Sequence, residues 1–165
     1  MELELLYQRY VNDLYRYLFS LTNDHYLAED MVQETFFRAY LHLENNDIEV
    51  IKPWLFKVGY HVFIDYTRKR KRIILQDTLE EQLDLQTPEH GVMEKEGLDQ
   101  LLALIHALPE HEAHVILLCD FHQLKLHEAA DVLNLNLNTL KSHLLRGRKK
   151  LKVILQREVL MNEGS

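Results

Sequence analysis

The chain has 165 residues, 47% of them hydrophobic, with only five Gly and three Pro, which excludes a disordered polymer and leaves one compact domain or two small ones. Its one cysteine, Cys119, excludes an intramolecular disulfide framework, no apolar run reaches membrane-spanning length, and the acidic start Met1-Glu-Leu-Glu is unlike a signal peptide, so a soluble cytoplasmic protein is expected. The net charge of −7 excludes a uniformly basic nucleic-acid binder, but the charge is unevenly spread.

Leu6, Tyr10, Leu14, Tyr17, Leu18 and Leu21 recur at helical spacing and predict a first helix over 2–21. Thr22-Asn-Asp24 supplies turn and capping side chains. Ala28, Met31, Val32, Thr35, Phe36, Ala39 and Leu43 give a second helix one apolar side, and Glu44-Asn-Asn-Asp47 ends it. Pro53 suits the first position of a third helix running to about Arg72. From Ile73 the periodicity fails, and Thr87-Pro88 disfavours a helix, so 73–93 is expected to be an acidic linker. Helix resumes near Glu94 with Leu98, Leu101, Leu102, Ile105 and Leu108 as its stripe. Pro109 restarts the chain, and Val115, Leu118 and Cys119 mark the next helix. The stretch from Glu128 to Ser142 then predicts helix, tight turn and second helix, with Leu135 plugging the turn and Asn136 as N-cap. No strand pattern or internal repeat is visible. The expected fold is all-α: two small helical domains, 1–72 and 94–165, the second carrying a helix-turn-helix.

Local charge resolves the apparent conflict with DNA binding. Residues 1–50 carry −7 and 74–114 carry −9, whereas 52–72 carry +6 and 139–157 carry +7 with no acid at all. Over a Debye length of roughly 8 Å, a phosphate senses the local segment more than the distant total. In the last segment Leu140, Leu144, Leu151 and Ile154 form a buried stripe. Asn138, Thr139, Lys141, Ser142, His143, Arg146, Lys149 and Lys150 are left for other faces, with small polar groups at the positive end of the helix dipole. That pattern is the form of a recognition helix entering a major groove; the bland alternative is a solvated basic helix in an ordinary bundle. Gly147 costs this helix roughly 1 kcal/mol relative to Ala and points to a close packing contact.

The other basic segment, Asp65 to Arg72, follows Trp54, Phe56, Tyr60, Phe63 and Tyr66. Aromatics interleaved with bases can stack exposed bases and hold a backbone, or the aromatics are core and the charges merely suit a helix C-terminus. In the second helix, Glu29, Asp30, Gln33 and Glu34 rim the apolar Met31, Val32 and Phe36, a face suited to a protein partner or to an ordinary core helix.

Three motifs in this order resemble the extracytoplasmic-function class of bacterial RNA polymerase sigma factors. Ala28 to Phe36 is similar to the signature Ala-Glu-Asp-Leu-Val-Gln-Glu-Thr-Phe. Trp54-Leu55, Ile64-Asp65 and Arg68 to Arg72 follow in register, then Leu108-Pro109, Glu128 to Ala130, Thr139 to Leu144 and Arg146 to Arg148. The resemblance implies a promoter-recognition subunit. Glu29, Asp30, Val32, Gln33, Glu34 and Phe36 would bind the clamp helices of the largest subunit of core RNA polymerase. Asn45 and Asn46, in the loop 43–52, would capture a flipped base of the −10 element; Trp54, Tyr60, His61, Asp65, Arg68, Lys69 and Arg70 would support the melted junction. Asn138, Thr139, Lys141, Ser142, His143, Arg146 and Lys149 would read the −35 duplex. The acidic linker would let polymerase set the spacing of the two readers and lie along its basic channel. A regulating anti-sigma factor of the membrane-anchored kind is a further implied partner. The sequence departs from the family pattern at His61 (usually Asn), Ala113 (Arg), Asn138 (Gly) and His143 (Arg), so the promoter sequence is less transferable than polymerase docking.

Three other classes fit less of the chain. A dimeric regulator with a sensory N-terminal domain needs a ligand pocket or phosphoacceptor before residue 73 and leaves the aromatic–basic helix unexplained. An adaptor that binds polymerase without reading DNA leaves the C-terminal charge pattern unexplained. An enzyme needs a clustered acid–base or metal constellation. His111 and His114, with Cys119 and His122, match no zinc-site spacing, and no phosphate loop or Ser/His/Asp set is present, so no metal, cofactor, small-molecule substrate or catalysis is expected. Cys119 is expected to act as a small hydrophobe.

Overall fold

The computed structural model describes residues 2–43, 48, 50–77 and 97–163. Among them every regular element is a helix. The chain divides into two compact units, Met1–Glu94 and Lys95–Ser165. The expected −10 residues Asn45 and Asn46, and residues 78–93 of the expected linker, lie outside the described residues.

The first unit packs three helices, α1 (Leu3–Thr22), α2 (His25–Leu43) and α3 (Ile51–Asp77). Each contacts the other two. Leu6, Leu14, Tyr17, Leu18 and Leu21 of α1 meet Ala28, Met31, Val32, Thr35, Phe36 and Ala39 of α2, so the apolar periodicity of both helices becomes core. α3 adds Leu55, Phe56 and Val62, with Phe56 stacked on Tyr17 at 4.6 Å between centroids and 3° between planes. The core contribution of α3 thus comes from its N-terminal half. The corner between α1 and α2 is built by the residues expected there. Asn23 takes the left-handed conformation (φ 51°), and its N–H donates to the Phe19 carbonyl. The Asp24 carboxylate then accepts from the Leu27 N–H at 3.1 Å, capping α2.

α3 differs from expectation at both ends. It begins two residues before Pro53, which sits within the first turn where no N–H is needed. It continues to Asp77 rather than stopping near Arg72. The basic run changes charge but contains no Gly or Pro, and Arg and Lys are good helix formers; a change of charge is not a stop signal.

The second unit contains α4 (Gly97–His106), α5 (Glu110–Ile116), a π turn over Leu117–Phe121, α6 (Leu126–Leu133) and α7 (Leu137–Glu163). Leu102, Ile105, Val115, Ile116, Leu117, Leu118, Ala129, Val132, Leu140 and Leu144 form its core. α6 and α7 are the helix-turn-helix. The Glu128 carboxylate accepts from the Lys125 N–H at 2.9 Å at the start of α6. The turn is a Schellman motif: Asn134 has φ 54°, its N–H reaches Asp131, and the Leu135 N–H donates to Ala130 at 2.9 Å. Asn136 caps α7 as expected, its side-chain oxygen accepting from the Thr139 N–H at 2.8 Å. Gly147 is the close-packing point: a Cβ there would stand 2.8 Å from Ile116 Cδ1 and 3.2 Å from Glu112 Cβ. Leu151 and Ile154 are only half-buried, so the fully covered seam of α7 is shorter than its apolar stripe.

Candidate nucleic-acid interface

On α7 the core side is Leu140, Leu144 and Gly147. At 100° per residue the opposite side carries Asn138, Ser142 and Lys149, with Lys141 and Arg146 on its flanks. These five are exposed. Thr139 and His143 lie off this side and are half-buried. The His143 ring lies against His111, centroids 5.5 Å apart, and its Nδ1 is 3.3 Å from Arg146. Partial burial, and then the charges of Arg146 and His111, hold the His143 imidazole below its ordinary pKa. At neutral pH it is therefore a neutral donor–acceptor where the family's pattern has a cationic Arg.

The basic residues of α7 are not equivalent. Lys150 Nζ donates to both oxygens of Glu112 on α5, at 3.0 and 2.9 Å, and Arg146 Nε lies 3.8 Å from the same carboxylate. Glu112 is only 4% exposed; a carboxylate this buried must be paired. Arg148 makes a two-pronged contact with Asp120 at 2.9 and 2.6 Å. The sequence showed an acid-free segment over 139–157; the acids that temper it come from residues far earlier in the chain.

On α3, Trp54, His61, Asp65 and Arg68 share the side opposite the core, joined by Arg72 of the basic run and by Lys57, which sequence reasoning did not single out. Tyr60 lies on the flank beside Phe63, 6.3 Å between centroids. Lys69 and Arg70 are exposed, but Arg70 projects to the other side of the helix from Arg68. Trp54 is half-buried against His42, 5.4 Å away. Asp65 accepts from Arg38 of α2 at 2.9 Å, and Arg38 also donates to Glu34 at 3.0 Å. Those hydrogen bonds, to Asp65 first, raise the Arg38 pKa. Arg38 thereby ties a carboxylate of the expected polymerase face to one of the expected DNA face. Its identity gave no such signal, since Asp65 is 27 residues away in sequence.

The expected polymerase-binding set divides by burial. Glu29, Asp30, Gln33 and Glu34 are exposed on α2, whereas Val32 and Phe36 are 5% exposed and face the three-helix core. Glu29 is 3.1 Å from His25 Nε2, and His25 Nδ1 is hydrogen-bonded to the Tyr15 hydroxyl. Among the described residues no group of three His, Cys, Asp or Glu is placed to hold a metal ion, and no helix is long and apolar enough to cross a membrane.

Residues 6–73 match the family Sigma-70 region 2, and residues 98–151 match Sigma-70, region 4. These two regions define the class: a sigma-70-type transcription initiation factor, the first match covering all of α2 and most of α1 and α3, the second covering α6 and the first half of α7. The chain is 39% identical to the ECF RNA polymerase sigma factor SigM of Bacillus subtilis, over 96% of this chain and 98% of the relative. It is 29% identical to the sigma factor SigZ of the same organism, over 94% and 88%. Its fold is similar to that of the sigma factor RpoE from Bartonella quintana, solved in complex with the anti-sigma factor NepR (TM-score 0.76, 22% identity, 93% and 96% covered). The chain belongs to the ECF family of RNA polymerase sigma factors: it binds core RNA polymerase and directs promoter-specific initiation of transcription.

Proposed function

We propose that α3 and α7 are the two DNA readers of this sigma factor, and that α2 is its polymerase-docking face. Residues 1–72 then serve polymerase and the −10 element, 73–93 connect, and 94–165 serve the −35 element. The observation that carries this reading is the outward side of α7: Asn138, Ser142 and Lys149 stand in line away from the core, flanked by Lys141 and Arg146, at the N-terminal half of the second helix of a helix-turn-helix. Lys141, Arg146 and Lys149 serve the phosphates; Asn138, Thr139, Ser142 and His143 serve base edges. On α3, Trp54, His61, Asp65 and Arg68 share one side, Tyr60 and Lys69 border it, and Arg70 adds positive charge from the far side of the helix. Asn45 and Asn46 complete the −10 site. On α2, Glu29, Asp30, Gln33 and Glu34 meet the polymerase clamp, while Val32 and Phe36 shape that face from within.

The protein works in the cytoplasm beside polymerase and adds no catalytic step, cofactor or metal of its own. An anti-sigma factor regulates it. That partner is supported by the similar fold of RpoE, solved with the anti-sigma factor NepR, and by open apolar surfaces on each unit, Phe37 and Leu41 on α2 and Leu155, Val159 and Leu160 on α7. Reversing charge at Lys141 and Arg146 tests the assignment of α7. Promoter-specific transcription is expected to fall at −35-dependent promoters while binding to core polymerase persists. Unchanged transcription from such a promoter would remove α7 from the DNA interface.

A further inference from the structure

Two ion pairs bracket the buried seam of α7. Lys150 and Arg148 lie on opposite flanks of that seam, three residues and one residue past Gly147. Their partners, Glu112 and Asp120, flank Ile116 at four-residue intervals along α5 and the π turn that follows it directly. Ile116 fills the notch that Gly147 opens. One line of three side chains therefore holds α7 at its centre and on both sides.

Apolar packing is nondirectional, so a seam of Leu140, Leu144 and Gly147 opposes separation of the helices more than it opposes rolling. Charge-assisted hydrogen bonds are directional, and the Arg148–Asp120 contact is two-pronged. The buried Glu112 side chain cannot return its carboxylate to water when its partner moves. Roll is what base reading cannot tolerate. A roll of about 20° carries a side-chain tip on a helix of about 5 Å radius through roughly 2 Å, enough to break a hydrogen bond to a base edge.

We propose that Glu112 and Asp120 are positioning residues for −35 recognition: through Lys150 and Arg148 they fix the roll of α7 and so decide which of its side chains face the bases. This rests on the reading of α7 as the −35 reader. Neither carboxylate touches DNA in this account, and Lys150 and Arg148 are spent on the lock rather than on phosphates.

The test uses the full chain with core RNA polymerase and two promoter libraries, one randomised at −35 and one at −10. Wild-type protein without any −35 preference overturns the reading of α7, and the lock with it. With that preference established, Glu112→Gln and Asp120→Asn are each expected to flatten the −35 preference by about tenfold, the scale of one lost base contact, and to leave the −10 preference unchanged. A uniform fall in transcription with the ranking of −35 sequences preserved would make the pairs merely structural and overturn the proposal. The exchange Asp120→Arg with Arg148→Asp is expected to restore the preference, because the lock needs a pair and not a particular polarity; a folded exchange variant that stays flattened overturns it. If Glu112→Gln fails to fold, the more exposed Asp120 pair carries the test alone.

Discussion

Gly147 shows how one residue can cost its own helix and still be favoured. Alanine there would gain roughly 1 kcal/mol of helix propensity. Its Cβ would meet Ile116 at 2.8 Å and the less yielding Glu112 Cβ at 3.2 Å. Overpacking of this kind costs about 1–3 kcal/mol, so Gly147→Ala is expected to destabilise the chain by about 1 kcal/mol in chemical denaturation. His114 sets a pH limit on the second unit. Burial, reinforced by His106 and His111 and opposed by Glu110, lowers its pKa to about 4. The unfolded state takes up the proton first, so this contribution is complete above about pH 6.5 and is lost as pH falls toward 4. Denaturation at pH 7 and pH 5 should differ by about 2 kcal/mol from this group, a difference that His114→Gln removes. Cys119 is pushed up to about 11, by burial and then by Asp120, with Arg148 opposing. Its thiol is expected to react with disulfide reagents at pH 8 far more slowly in the folded chain than in denaturant.

Elements were legible where one face repeats. The buried positions of α1 and α2 are those that the apolar spacing marked, except that Tyr10 and Leu43 are only half-buried and the polar Ser20 is buried as well. The Asn136 cap was legible because capping is local chemistry. Asn136→Ala is expected to cost about 1 kcal/mol, measurable by thermal unfolding. What was not legible depends on distance along the chain. Glu112 reaches Lys150 across 38 residues, and Asp120 reaches Arg148 across 28. A helix that looks uniformly basic in sequence is therefore partly neutralised in the fold. Likewise the Ala28–Phe36 motif mixes surface and core, and only burial separates Glu29, Asp30, Gln33 and Glu34 from Val32 and Phe36. For α7, the proposed reader helix, the division has a direct consequence. Lys149→Ala should weaken promoter binding across all −35 sequences and lower the salt slope by about 1. Ser142→Ala should change sequence preference more than the slope.

At the scale of the whole molecule, charge is sorted by task. The two basic segments fall on α3 and α7, each on a separate unit with its own core, while the chain as a whole carries −7. A protein so arranged is a poor general polyanion binder, yet presents two local cationic surfaces of short range. Dividing recognition between two small readers makes each weak alone and their sum specific when polymerase holds both. The most direct measurement of that claim is run-off transcription with purified core polymerase on promoter fragments in which the −35 and −10 elements are altered singly and together. The account predicts new start sites that require this protein, lose strength when either element is changed, and lose activity when the spacing between them is altered. Start sites that survive loss of the −35 element and any change of spacing, with Lys141 and Arg146 dispensable, would contradict it.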